Sequence, residues 1–302
     1  MIMENMNEST GIITKSIRGL YLTETPGGVY ECKARGIFRK MNISPSVGDR
    51  VKLEEIKGNT AVIAEIAERK NYIIRPPLAN LDVLIFVVSS CSPKPNLTLM
   101  DKFIAISSYK DIENIIVITK LDLQENKEIS EIYGAAGIRV VEVDYADKNS
   151  YMPLIDMIEG KICAFTGNTG VGKSTLLNHL IEGIDIKTGE ISEKLGRGRH
   201  TTRHTELYKL PNGAYIADTP GFSTFDTNRY DIIKKDKLEL CFAEFEPYLG
   251  KCGFPDCAHI SEKKCAVREA VEKGAIAESR YRSYCEMYEE AKQIKDWEIN
   301  KQ

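Results

Sequence analysis

From Gly11 to about Tyr72 apolar and polar residues alternate in short runs interrupted by turns. Gly11–Ile17, Gly19–Leu22, Val29–Ala34, Gly48–Leu53 and Thr60–Ile66 each read as a strand, with Pro26-Gly27-Gly28 and Gly58-Asn59 between them. About five short strands with no helical period predict a small β-barrel of the OB type. Asn71–Leu81, which holds Pro76-Pro77, reads as a linker. Beyond it the period changes. Leu81–Ser90 is dominated by apolar residues, as a buried parallel strand would be. Leu97–Lys110 has apolar positions at helical spacing, with Thr98 to Asp101 as a capping box. Further strands are expected at Ile115–Thr119, Ile138–Val143, Lys161–Thr166, Leu207–Leu210 and Ala214–Ala217, and helices at Tyr151–Glu159 and Ser174–Gly183. Strands alternating with helices predict a βαβ-type parallel sheet. Past about Thr227 the chain becomes helical and polar. The expected division is therefore 1–72 barrel, 73–230 α/β domain and 231–302 C-terminal domain.

Composition changes this picture little. The chain has 302 residues, 42% hydrophobic and 28% charged, which suits a folded protein of two or three domains. Its apolar runs fall far short of the ~20 residues of a membrane helix. The opening MIMENMNEST lacks a basic start and an apolar core, so a cytoplasmic protein without membrane contact, and a monomer, is expected. The net charge of −3 gives no global sign of a nucleic-acid partner. Residues 1–72 hold 11 Lys+Arg against 9 Asp+Glu, and residues 231–302 hold 13 against 15. Contacts with RNA would have to come from local patches; Arg35, Arg39 and Lys40 are candidates in the barrel. Of eight cysteines, Cys91 and Cys163 fall on expected strands as small buried hydrophobes.

Gly167-Asn168-Thr169-Gly170-Val171-Gly172-Lys173-Ser174 follows an apolar strand and opens a helix, the context a phosphate-binding loop requires. Its glycines let backbone N–H groups close on a β-phosphate at a helix N-terminus. Lys173 would reach the β- and γ-phosphates, Ser174 would hold Mg²⁺, and Thr175 follows in the same helix. Asp218-Thr219-Pro220-Gly221 ends a strand, which suits Asp218 to a Mg²⁺-contacting carboxylate and Gly221 to a γ-phosphate contact. Thr119-Lys120-Leu121-Asp122 ends another strand. The Asp122 carboxylate can accept from N1–H and N2–H₂ of guanine, which adenine cannot offer, and Thr119 stands where Asn is usual. Between the phosphate loop and Asp218 lies Gly196-Arg197-Gly198-Arg199-His200-Thr201-Thr202-Arg203-His204, a basic loop. In it Thr202, or failing it Thr201, would meet Mg²⁺ in the GTP state.

The order of the motifs is permuted. The guanine motif (119–122) precedes the phosphate loop (167–174), which precedes D-T-P-G (218–221). Cys252-x₄-Cys257-x-His259-x₅-Cys265 adds a closed Cys₃His set suited to one structural Zn²⁺, with Cys241 and Cys285 as poorer candidates. With the barrel before and this cluster after, the chain resembles the bacterial ribosome small-subunit-dependent GTPase A (RsgA/YjeQ-like) family, from about Gly11 to Tyr288. The resemblance implies a circularly permuted P-loop GTPase that binds the 30S ribosomal subunit and 16S rRNA, assists late maturation, and leaves after GTP becomes GDP. It also makes His200 the candidate for positioning water, because Phe222 follows D-T-P-G and cannot do so. The stretch Val143–Ala146, where a fifth guanine motif would fall, reads Val-Asp-Tyr-Ala and receives no base contact. Because the segment after Gly221 runs directly into residues 231–302, hydrolysis is expected to reposition the zinc domain. An ATP-dependent kinase or ATPase and a signalling switch without RNA are the competing functions.

Overall fold

In the computed structural model, which describes residues 8–41, 43–124, 126–183, 205–218 and 232–294, the alternating N-terminal segments become β1 (Ser9–Ile17), β2 (Leu20–Thr25), β3 (Gly28–Ala34), β4 (Arg50–Lys57) and β5 (Thr60–Ile66). They hydrogen-bond in the order β1-β2-β3-β5-β4, and β4 returns to β1, closing a five-stranded barrel. The pleat explains the pattern: Val51 and Leu53 of β4 and Ala61 and Ile63 of β5 face the core with Ile13 and Cys32. A single-turn helix, α1 (Ile37–Lys40), leaves Arg39 and Lys40 exposed, whereas the exposed Arg35 pairs with Glu54.

The expected linker is an ordered segment. β6 (Tyr72–Ile73) and β7 (Leu78–Ala79) form a small hairpin in which Leu78, Ala79 and Leu81 are buried. The Asn71 side chain accepts from Leu81 N at 3.0 Å and donates to Leu81 O at 2.8 Å. Asn80 donates to Gly48 O at 3.0 Å, and Gly48 has no room for a Cβ, which would lie 2.0 Å from Ala79 O. Backbone groups satisfied by amide side chains make this stretch a packed corner and not the linker that Pro76-Pro77 suggests.

The described residues fall into two compact units. One, from within Met1–Val83, Ile155–Phe165 and Ser174–Ser223, joins the barrel to β12 (Glu206–Lys209) and β13 (Tyr215–Asp218). Its strand order continues from β1 to β12, β13 and β11 (Ile162–Thr166), with β11 and β13 parallel. The β1–β12 junction is one residue pair long, Lys15 opposite Glu206, reinforced by ion pairs Lys15–Glu206 at 2.7 Å and Lys209–Glu24 at 2.6 Å.

The other unit draws on Leu84–Leu154, Thr166–Lys173 and Thr224–Gln302. β8 (Val83–Ser89), β9 (Glu113–Thr119) and β10 (Arg139–Glu142) lie side by side, β9 and β10 parallel, with every residue of β8 buried. α2 (Leu97–Tyr109) and α3 (Glu128–Ala135) follow β8 and β9, and α4 (Lys148–Ile158) leads into β11. α2 is capped by Asn96, whose side chain accepts from Leu99 N at 3.1 Å. The Thr98–Asp101 capping box is therefore absent: Asp101 lies inside the helix and is fully buried. Cys163 is a buried strand residue as expected, but Cys91 lies beyond the end of β8 and is half-buried.

The C-terminal part of this unit has two 3₁₀ turns, Leu238–Cys241 and Ala243–Tyr248, then α6 (Ala266–Glu272) and α7 (Glu278–Gln293). Phe242, Phe245, Tyr284 and Met287 form its core with Ala105 and Ile106 of α2. Inside it lies Arg280 of α7, 1% exposed. Its Nη1 donates to Asp101 Oδ1 at 2.7 Å, and its Nε and Nη2 donate to the two Glu244 oxygens at 2.7 and 3.1 Å. Tyr133 of α3 donates to the same Asp101 oxygen at 2.9 Å. Four elements thus meet on one guanidinium. Burial pushes the Asp101 carboxyl above the usual carboxylate range although Arg280 pulls it down.

Candidate functional site

The phosphate loop leaves β11 and enters α5 (Lys173–Gly183). Its glycines are demanded by the backbone: Gly167, Gly170 and Gly172 have φ of +137°, +82° and +96°. Gly167 also abuts the end of β8, where a Cβ would stand 2.2 Å from Val87 O. Val171 is buried, while Asn168, Thr169, Gly170, Ser174 and Thr175 are exposed. The Lys173 ammonium lies within the loop, donating to Gly167 O at 2.6 Å and Asn168 O at 2.8 Å. Burial lowers its pKa.

The guanine motif begins at the end of β9, in the same unit. Thr119 is fully buried, and its hydroxyl lies 2.6 Å from Val171 O and 3.1 Å from Val88 O, so it donates to the nearer. The first motif residue is thus tied to the phosphate loop. Lys120 adopts φ +61° and donates from Nζ to Ser92 O at 2.7 Å, while Ser90 Oγ donates to Lys120 O at 2.7 Å. With that turn held from below, Leu121 is half-buried and Asp122 exposed, a carboxylate free to accept from an incoming base. Tyr145, in the stretch assigned no contact from sequence, donates to Gly172 O at 3.4 Å. Ser90, Ser92 and Tyr145 carry no motif signal; only their position after buried strands could have suggested them.

Asp218 ends β13, whose parallel register with β11 pairs Ala217 with Ala164. Its backbone therefore reaches the C-terminal end of β11, and in α/β folds ligands bind at the C-terminal ends of such strands. Gly221, Phe222, His200, Thr201, Thr202 and the basic loop 194–204 lie outside the described residues.

At the C-terminal end Cys252, Cys257, His259 and Cys265 bring three Sγ and one Nδ1 within 4.8 Å of one another. Cys252 Sγ and Cys265 Sγ are 3.9 Å apart, and His259 Nδ1 stands 3.5 and 3.3 Å from them. Two sulfurs each ~2.3 Å from a tetrahedral ion would be ~3.8 Å apart, so this set could bind zinc. The other ring nitrogen, Nε2, meets Glu239 Oε2 at 2.9 Å, which fixes the ring so that Nδ1 faces the thiols. His259 and Lys264 adopt φ of +61° and +59°, turning the chain around the cluster. Tyr281 and Tyr284 of α7 donate to the carbonyls of His259 and Ala258 at 2.8 and 2.9 Å, and the Glu262 carboxylate accepts from the N–H groups of Ala258, Ile260 and Ser261. Cys241 and Cys285 stand outside this set.

Comparison with known proteins agrees with this geometry. The chain matches the RsgA N-terminal domain family over residues 10–63 and the RsgA GTPase family over residues 66–228. A protein of Ruminiclostridium cellulolyticum named small ribosomal subunit biogenesis GTPase RsgA is 39% identical over 297 residues, 96% of each chain. One of Geobacillus sp. WCH70 with the same name is 41% identical over 291 residues, 94% of this chain and 98% of that one. Among solved structures, YjeQ from Thermotoga maritima superposes with a TM-score of 0.79 at 31% identity, covering 95% of this chain and 100% of its own. YloQ, described as a circularly permuted GTPase, gives 0.78 at 32%, covering 98% and 99%.

Proposed function

Because the chain belongs to the RsgA family of GTPases, we propose that it binds the small (30S) ribosomal subunit in its GTP state, assists late maturation around 16S rRNA, and leaves once GDP and phosphate have formed. The observation that carries this is the union of two motifs in permuted order: Thr119, from the motif that comes first in the chain, holds Val171 of the phosphate loop. A generic phosphate loop would not need a guanine-reading turn so placed. The names of the relatives supply the ribosomal partner.

Each residue then has a task. Asp122 accepts from guanine, and the amides of residues 170–175 take the phosphates at the start of α5, with Lys173 as the cation on the β- and γ-oxygens. Ser174 and Thr202 would hold Mg²⁺, Asp218 would contact the same ion, and the Gly221 N–H would meet the γ-phosphate. Mg²⁺ supplies neutralisation of the phosphate charge. Phe222 gives attacking water no hydrogen-bond partner, which leaves that part to His200 and makes the unstimulated reaction slow. The Cys₃His cluster holds Zn²⁺ structurally, since four protein donors leave no position for a reacting water. The division 1–72, 73–230 and 231–302 carries these as barrel, GTPase and zinc domains, in a monomeric cytoplasmic protein.

Asp122→Asn tests the base assignment. It should move preference from GTP to XTP by orders of magnitude, whereas a kinase or ATPase would keep its nucleotide. Co-sedimentation with 30S subunits should weaken steeply with salt, as an RNA contact requires; binding flat in salt would favour a protein-directed switch.

A further inference from the structure

The stretch Val143–Ala146 departs from the Ser-Ala often found in guanine-binding proteins, and the residue it offers instead points at the phosphate loop. Tyr145 Oη donates to Gly172 O at 3.4 Å, and a Cβ on Gly172 would lie 3.3 Å from that oxygen and 3.6 Å from Thr119 Oγ1. Gly172 is thus flanked by two hydroxyls. Thr119 serves the preceding carbonyl, Val171 O, at 2.6 Å. Two consecutive peptide groups are therefore held from the same side.

A trans peptide is planar, and its C=O and N–H point in opposite directions. Holding Val171 C=O toward Thr119 turns Gly172 N–H away from it. Holding Gly172 C=O toward Tyr145 does the same for Lys173 N–H. These two amides open α5, where N–H groups have no partner within the helix. Glycine at φ +96° is conformationally permissive, so the two hydroxyls add to the hold that the first turn of α5 has on the Gly172 carbonyl. Burial, with the Asp122 charge adding to it, pushes the Tyr145 phenol up to about 12, so it remains a donor throughout the working pH range.

We propose that Tyr145 is a positioning residue of the phosphate loop: with Thr119 it fixes the Gly172 and Lys173 amides toward the β-phosphate of a bound nucleotide. This rests on the guanine-nucleotide assignment above. Tyr145 touches no reacting atom. It sets the direction of the donors that do.

The test compares GDP with GMP, which lacks the β-phosphate, on the full chain. Dissociation constants for both, GMP by competition, would be measured for wild type, Tyr145→Phe and Tyr145→Ala, together with urea midpoints. Removing one neutral hydrogen bond should weaken GDP about 3- to 10-fold in Tyr145→Phe. GMP affinity and the urea midpoint should stay within about twofold and a few tenths molar. Tyr145→Ala, which also removes the ring, should raise the ratio of the GDP to the GMP dissociation constant at least as far. A Tyr145→Phe ratio equal to wild type would overturn the inference alone. Equal loss for GMP and GDP would also overturn it, because the residue would then serve the base pocket or packing. A wild-type chain with no preference for GDP over GMP would overturn the assignment of residues 167–174 as the phosphate loop, and this inference with it.

Discussion

Thr119 occupies the position where the guanine motif usually has asparagine, and its surroundings explain the exchange. A short hydroxyl suffices to reach Val171 O at 2.6 Å from a fully buried site. Thr119→Val keeps the shape and leaves that carbonyl without its donor. The loss should be about 1–3 kcal/mol in urea unfolding, with weaker binding of GDP. At the zinc-type cluster Glu239 bears on His259 Nε2 at 2.9 Å, so Glu239→Gln should lower metal affinity about 10- to 100-fold in a competition titration. The phosphate loop, Thr119–Asp122 and the Cys₃His set are legible because each chemistry needs fixed residue types at short spacing, and the structure brings Thr119 to Val171 and the four cluster residues together. Tyr145 and Arg280 are not, because their partners Gly172 and Asp101 lie 27 and 179 residues away along the chain.

At the scale of elements, strands were read well wherever one face is buried, since the period of two survives in β4 and β5 and a continuous apolar run marks β8. α3 escaped because only Ile129 and Tyr133 of its eight residues are buried, too little for a periodic signal. Residues 71–81 read as a linker from sequence because their order comes from Asn71 and Asn80 side chains bonded to distant backbone, which composition does not reveal. The C-terminal helices were expected to be polar, yet α7 carries the buried Arg280 that joins Asp101 of α2 and Glu244. Arg280→Met would strand two carboxylates in a core. It should cost about 3–5 kcal/mol in urea unfolding, whereas replacing Arg280, Asp101 and Glu244 together by apolar residues of similar volume should cost far less.

For the whole molecule, the permuted order of motifs carried the identification, and it is a property of sequence alone. What the sequence could not show is how the C-terminal elements are held, because α2, α3, α7 and the Ala243–Tyr248 turn converge only in three dimensions. Stripping the metal with a chelator should raise amide exchange across Gly250–Ala266 and the start of α7, where Tyr281 and Tyr284 grip the cluster, and leave the barrel strands protected. That this GTPase works on the small ribosomal subunit is tested by the rate of GTP hydrolysis by the full chain with and without purified 30S subunits. Slow turnover alone and a rise of at least tenfold with 30S subunits is the expected result; an unchanged rate at saturating 30S would contradict the account.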